Sequence, residues 1–257
     1  MAEYPPPEHV LRDLRIESWL ETETHGFAEM PVDDVVRDAS GVVSLGALTT
    51  LVDIACARVS FSAAHPHWIA TSDLSLVTDR RPAGGTARAE AKLVRAGSKL
   101  LTIAVDLHGA GSATGSFVRI PRTASDVDIE RPMAPLGQRM TMALDGPPPT
   151  RPITELMDLR TIGPSVELER TDYVRNSFRT INGGVLGFLV ARAAEDATGM
   201  VAADLLLRYL GQTKVGPARA TASVVRQRDD HAVTDVVVVD AGAEDALLAR
   251  ATVTTTR

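Results

Sequence analysis

The sequence predicts an α+β protein made of two tandem copies of one unit, each an antiparallel sheet wrapped around a single long helix. Three observations predict it. The stretch RTINGGVLGFLVARAA, residues 179–194, opens an apolar helical run with two glycines, and VVSLGALTTLVDIACA, residues 42–57, reads as a worn copy of it. Each run is followed by segments whose residues alternate apolar and polar at period two, the pattern of half-buried strands. Between the copies lies a stretch rich in Pro and Gly with little periodicity. Similarity over half a chain means duplication, and it has to be read before any single motif.

The elements follow in order. Upstream of the first helix, LRIESWLETETHGFAEMPV supplies one or more strands. After the helix, TSDLSLVTD reads as another strand, and residues 85–120 as three antiparallel strands with turns at Ala96-Gly97-Ser98 and Gly109-Ala110-Gly111. The second half repeats the plan: SVELERTDYVRNSF before the helix, then strands from Gly216 onward with turns at 227–230 and at Ala241-Gly242. Gly85-Thr86-Ala87-Arg88-Ala89 corresponds to Gly216-Pro217-Ala218-Arg219-Ala220, and Leu93-Val94-Arg95 to Val224-Val225-Arg226. The resulting division is a first domain over 1–125, a linker over 126–152 and a second domain over 153–257.

Composition narrows the function classes. A net charge of −6 lacks the basic footprint that nucleic acid or an anionic membrane requires, so neither is an expected partner. The lone cysteine, Cys56, excludes an intrachain disulfide, and the opening MAEYPPPEHVLRD lacks the regions of a signal peptide; the expected location is the cytoplasm. The uncharged apolar run over 40–52 stops at Asp53, short of the ~18 residues of a membrane span. His65-Pro66-His67 is expected to be a surface loop, since no ligand-spaced cluster accompanies it, and Cys56 a small core residue.

The signature G-ALTTLVDIA and the strand TSDLSLVTDRRPAGGTARAEAKLVRAGSKL resemble the hotdog-fold acyl-CoA thioesterases of the PaaI-like branch over residues 30–120, and more faintly over 165–257. The resemblance implies two hotdog domains pairing through their sheets, with sites at the junction where an acid from one helix faces the helix N-terminus of the other. Here both partners lie on one chain. The family's loop runs from an Asn to a His-Gly-Gly and on to a carboxylate. In the second half Asn176 matches the Asn, Asn182 replaces the His, Gly183 and Gly184 are the glycines, and Ala191 stands where the acid belongs. In the first half Asp38, Ser44, Leu45 and Gly46 occupy the loop positions, and Asp53 is the acid. A further Ser or Thr of the family falls on Thr71 in the first half and near Ala202 in the second. The defects are complementary. One composite site is implied, with Asp53 and Thr71 from the first half and Asn176, Asn182 and Gly183 from the second, opposite an empty mirror site.

Thioester hydrolysis needs donors aimed at the carbonyl oxygen and a base for water. Gly183 at a helix start offers a backbone N–H and no side chain in the way, and Gly184 beside it is expected to touch substrate. Asp53, flanked by apolar residues in a helix, is expected to be buried and to act as general base or as nucleophile. Its competing reading is a structural ion pair with Arg58. Likewise, Gly-Gly before a helix is often only a turn, and Thr at a strand start is common. Arg81, Arg95 and Lys99 are expected to meet coenzyme A phosphates. No cofactor is expected, coenzyme A being part of the acyl-CoA substrate, and a homo-oligomer of such chains is expected from the family's habit. Two other functions stay open: a non-catalytic acyl-CoA-binding protein, and a hotdog hydratase or dehydratase, which would want a His where Arg58, Ser44 and Asn182 stand.

Overall fold

A computed structural model describes residues 4–122 and 135–257. In the first half the elements are α1 (Val10–Asp13), β1 (Glu17–Thr22), β2 (His25–Pro31), α2 (Leu45–Ala64), β3 (Trp68–Thr78), β4 (Thr86–Ala96), β5 (Leu100–Asp106) and β6 (Gly111–Ile120). Then come β7 (Met140–Thr141), α3 (Ile153–Leu156), β8 (Arg160–Ile162), β9 (Ser165–Leu168), α4 (Leu186–Thr198), β10 (Val201–Tyr209), β11 (Ala218–Gln227), β12 (His231–Asp240) and β13 (Ala246–Thr256). The three strands expected over 85–120 and those after Gly216 are present, with hairpin turns where the glycine-rich segments stand.

All the strands join one sheet in the order β7-β1-β2-β4-β5-β6-β3-β10-β13-β12-β11-β9-β8. The two halves meet at β3 and β10, which pair antiparallel so that Leu76 lies opposite Leu205 and Leu74 opposite Leu207. Read from either side, the register of this pair is the same, with Ser75 opposite Leu206 between those two contacts. The isolated bridges Arg37–Val43 and Arg175–Ile181 fall at matching points of the two halves.

Period-two patterning dictates the packing of the strands: β12 alternates half-buried and buried residues along its whole length, so one face covers the core. Helix α2 packs on β2 to β6 and α4 on β9 to β13. Ser44 starts α2, its Oγ accepting the Ala47 N–H at 3.2 Å. Gly199, with φ of +67°, ends α4 in the left-handed conformation that suits glycine. The helices touch each other near their N-terminal ends through small residues: a Cβ on Gly46 would lie 2.4 Å from Phe188 Cγ, and one on Gly187 2.6 Å from Thr49 Cβ. This close approach brings the first half's acid next to the second half's loop.

Asp53 ends the uncharged run, but helix α2 continues through it to 20 residues and by length and composition is the one helix among the described residues able to cross a membrane, 67% of its apolar window being buried inside the protein. Two expectations need revision. The stretch expected as a linker contributes β7, which pairs with the edge of β1, Ser18 opposite Met140; its first part, 126–134, lies outside the described residues. And α4 begins at Leu186 rather than at the glycines, which occupy a preceding turn of i to i+3 bonds: Val185 N–H to Asn182 O and Leu186 N–H to Gly183 O.

Candidate active site

Asp53 lies on the third turn of α2, 6% exposed, among apolar neighbours. Its two carboxylate oxygens each find one donor. Thr71, on β3, gives its hydroxyl to Oδ1 at 2.9 Å, and the Gly184 N–H, from the opposite half, reaches Oδ2 at 3.1 Å. Arg58 is not its partner; the Arg58 Nε and Nη2 are themselves buried without hydrogen bonds among the described residues. Burial without a countercharge raises the Asp53 pKa to about 6 even though both hydrogen bonds pull it down.

The loop before α4 is built by Asn176. Its Oδ1 accepts the N–H groups of Phe178 at 2.9 Å and Thr180 at 3.3 Å, the short-range closure that Asn favours. Asn182, almost fully buried, accepts the same Gly184 N–H with its Oδ1 at 3.0 Å. One amide therefore bridges Asp53 and Asn182. The Gly183 N–H, by contrast, donates to no protein atom among the described residues.

Gly183 keeps the place expected of it on the cavity, whereas Gly184 does not touch a substrate space. Gly184, not Gly183, bonds the acid, and a Cβ on Gly184 would sit 2.5 Å from Thr50 Cα, so helix packing rather than substrate lies against it. Gly183 borders the space beside the acid: a Cβ there would lie 3.3 Å from Asp53 Oδ2, a tight approach, and 3.6 Å from both Thr71 Oγ1 and the Tyr209 ring. That space is a cavity of about 170 Å³ whose lining includes Asp53, Thr71, Asn176, Asn182 and Gly183. All five residues named from the sequence as the composite constellation converge there.

Other members carried no sequence motif. Tyr209, at the end of β10, donates its hydroxyl to Gly183 O at 2.8 Å and fixes the peptide that carries the Gly184 N–H. Burial and the nearby carboxylates of Asp53 and Asp73 hold its phenol well above the ordinary value. Thr213 ties the segment after β10 to the loop, its N–H donating to Thr180 Oγ1 at 2.9 Å. Phe117, Phe178, Ala57 and Gln212 complete much of the wall. Aromatic side chains on strands and loops have no spacing rule that would have announced them; only the β3–β10 register, read backward, points to Tyr209.

The cations expected at coenzyme A phosphates lie outside the cavity lining. Arg95 and Lys99 are exposed around the β4–β5 turn, outside the cavity lining. Arg81 does not line it either: its Nη1 pairs with Asp38 Oδ2 at 2.8 Å and donates to Val43 O at 3.1 Å, and both side chains are nearly buried. This partner, Asp38, lies far off in sequence. By offset in sequence Arg81 corresponds to Gln212, Asp38 to Asn176 and Glu195 to Ala57, so the first half has an ion pair where the second has Asn176 and Gln212. Glu195 accepts the Ala202 N–H at 3.0 Å, with its pKa raised by burial and then by Asp38. Ala191 and Ala202, the residues in the acid and hydroxyl positions, are buried.

No family model matches the chain, and no curated protein matches it. Solved structures do. A Lactobacillus plantarum protein assigned as an oleoyl thioesterase is similar at 12% identity with a TM-score of 0.62, over 92% of this chain and 97% of that one. An acyl-ACP thioesterase from Bacteroides thetaiotaomicron is similar at 10% identity and a TM-score of 0.58, over 89% and 96%. A protein of unknown function with a hot dog fold, from Alicyclobacillus acidocaldarius, is similar at 12% identity and 0.52, over 90% and 93%. At such identities the likeness bears on architecture alone, and on that it agrees with the antiparallel sheet and its enclosed helices: the chain has the hotdog fold.

Proposed function

We propose that this protein is an acyl-CoA thioesterase with one composite site between two tandem hotdog halves that form a dimer-like pair within the chain. The observation that carries the reading is the placement of Asp53 and the unbonded Gly183 N–H on one cavity, each from a different half. The names of the similar structures, thioesterases of acyl carriers, support the class of reaction.

In this reading Asp53 acts on water. With a pKa near 6 its carboxylate is ionised at neutral pH yet basic enough to take a proton as the water oxygen attacks the thioester carbonyl. The carbonyl oxygen gains the negative charge and accepts the Gly183 N–H, which needs no reorganisation because no protein atom claims it. Collapse of the tetrahedral intermediate breaks the carbon–sulfur bond, and the proton held on Asp53 leaves with the thiol, so that acid and thiol are the products. Thr71 orients the carboxylate, while Asn176, Asn182 and Tyr209 hold the loop. Arg95 and Lys99 are exposed cations available to the nucleotide end of coenzyme A. No cofactor enters. The expected setting is cytoplasmic, with a homo-oligomer of such chains.

The test is thiol release from a panel of acyl-CoA thioesters by wild type and by Asp53→Asn. Turnover that falls at least a thousandfold in the variant supports the reading; equal rates reject Asp53 as the base. Calorimetry showing acyl-CoA binding with no turnover would instead favour a ligand-binding protein.

A further inference from the structure

We propose that the cavity limits the acyl group to a small one, about six carbons in a chain or a single ring. The inference rests on the thioesterase reading for its substrate and on the walls of the cavity for its size.

The cavity holds about 170 Å³, and a cavity of about 150 Å³ lined by Leu, Ile and Phe accommodates one benzene molecule. Part of this space, beside Asp53 and Gly183, belongs to the carbonyl and the attacking water. What remains is bounded by Ile69, Phe117, Leu186, Phe178 and Ala57. Phe117 and Leu186 have little freedom to withdraw, while Phe178 is 43% exposed. Phe117 is 1% exposed and sits beneath Gly115, where even a Cβ would come within 3.2 Å of its ring and 2.9 Å of Cys56 Sγ. Leu186 is nearly buried at the start of α4. Phe178 rests edge-on against Trp68, ring centroids 5.7 Å apart, and Trp68 is in turn backed by Phe61 at 6.0 Å and covered by the Arg122 guanidinium at 4.4 Å. A longer chain would have to displace this packed set, and close-packed interiors resist that.

Ala57 decides how much room is left. It stands one helical turn beyond Asp53 on α2, and its counterpart in the other half is Glu195, whose side chain runs back to the Ala202 N–H. At Ala57 a methyl leaves room in the cavity where the other half carries the long side chain of Glu195.

The experiment is steady-state hydrolysis of straight-chain acyl-CoA esters from acetyl to dodecanoyl, with benzoyl-CoA alongside. The expected kcat/KM rises about fourfold per methylene up to roughly six carbons, following the burial of each CH₂, and falls at least thirtyfold by dodecanoyl. Ala57→Leu should move the optimum to shorter chains, and Leu186→Ala to longer ones. Dodecanoyl-CoA turned over as fast as hexanoyl-CoA would overturn the proposal. Should no ester be hydrolysed, the thioesterase reading fails by itself, and calorimetric titration with the non-hydrolysable hexyl and dodecyl thioethers of coenzyme A still decides the size limit: tighter hexyl binding supports it, and equal or tighter dodecyl binding overturns it.

Discussion

Asp53 and Gly184 lie in opposite halves of the chain and are joined by a hydrogen bond of 3.1 Å, backbone N–H to carboxylate oxygen. The same N–H also reaches Asn182 Oδ1 at 3.0 Å. A buried acid held by amides and hydroxyls, with no cation beside it, keeps its basicity.

Replacement of Asp53 by Asn should therefore separate activity from stability. Below about pH 3.8 the folded and unfolded states both hold the proton. Between there and about pH 6 only the unfolded chain releases it, and above that both are ionised while the burial penalty persists. The native carboxyl thus costs stability that grows as pH rises from about 4 to 6. Asp53→Asn should lose at least a thousandfold in kcat and gain about 2 to 3 kcal/mol in unfolding free energy at pH 8, an advantage absent at pH 3.5; paired denaturant titrations at the two pH values check it.

Activity should rise with pH through a midpoint near 6, as the base loses its proton. The Thr71 hydroxyl lowers that midpoint, so Thr71→Val should move it upward and reduce kcat by about ten- to a hundredfold, whereas Thr71→Ser should restore both. A pH profile with an unmoved midpoint in Thr71→Val would count against the contact acting in catalysis.

The adjacent glycines should respond differently to alanine. Gly183→Ala places a methyl in the cavity at contact distance from Asp53, Thr71 and Tyr209 and should cost about a hundredfold in kcat/KM with little change in melting temperature. Gly184→Ala drives a methyl into the α2 backbone at Thr50 and should destabilise by about 2 kcal/mol or more. Thermal melts and kinetics of the two variants, run together, give the contrast.

Arg81 should prove structural. Its removal in Arg81→Met strands Asp38 in a nearly buried position, a loss of about 3 kcal/mol, with KM for acyl-CoA unchanged. A raised KM with intact stability would return Arg81 to the binding of phosphates.

How much of this was legible in the sequence follows from what each feature depends on. The duplicated glycine-helix motif and the spacing from Asn176 through Gly183, with Asp53 at the matching place in the other copy, identified five residues that do share a cavity. Local patterns carried that far because both loops follow the same hydrogen-bond scheme: Asp38 Oδ1 accepts the Ser40 N–H as Asn176 Oδ1 accepts that of Phe178. The roles of Gly183 and Gly184 were not separable, because a turn of i to i+3 bonds in place of regular helix decides which N–H meets the acid. The pairing of Arg81 with Asp38 left no local signal because the two are remote in sequence. Tyr209, Phe117 and Phe178 went unnoticed, since side chains that converge from separate strands and loops leave no local spacing.

The ladder between β3 and β10 has one more result. Were the halves separate identical molecules, any exchange of one amino acid would appear on both sides, and a damaged loop would damage both pockets. On a single polypeptide each exchange enters once, so the Arg81–Asp38 ion pair can brace one half without appearing in the other. Under the proposed function, the fused arrangement lets one flank carry structural bracing while the opposite flank carries the reaction.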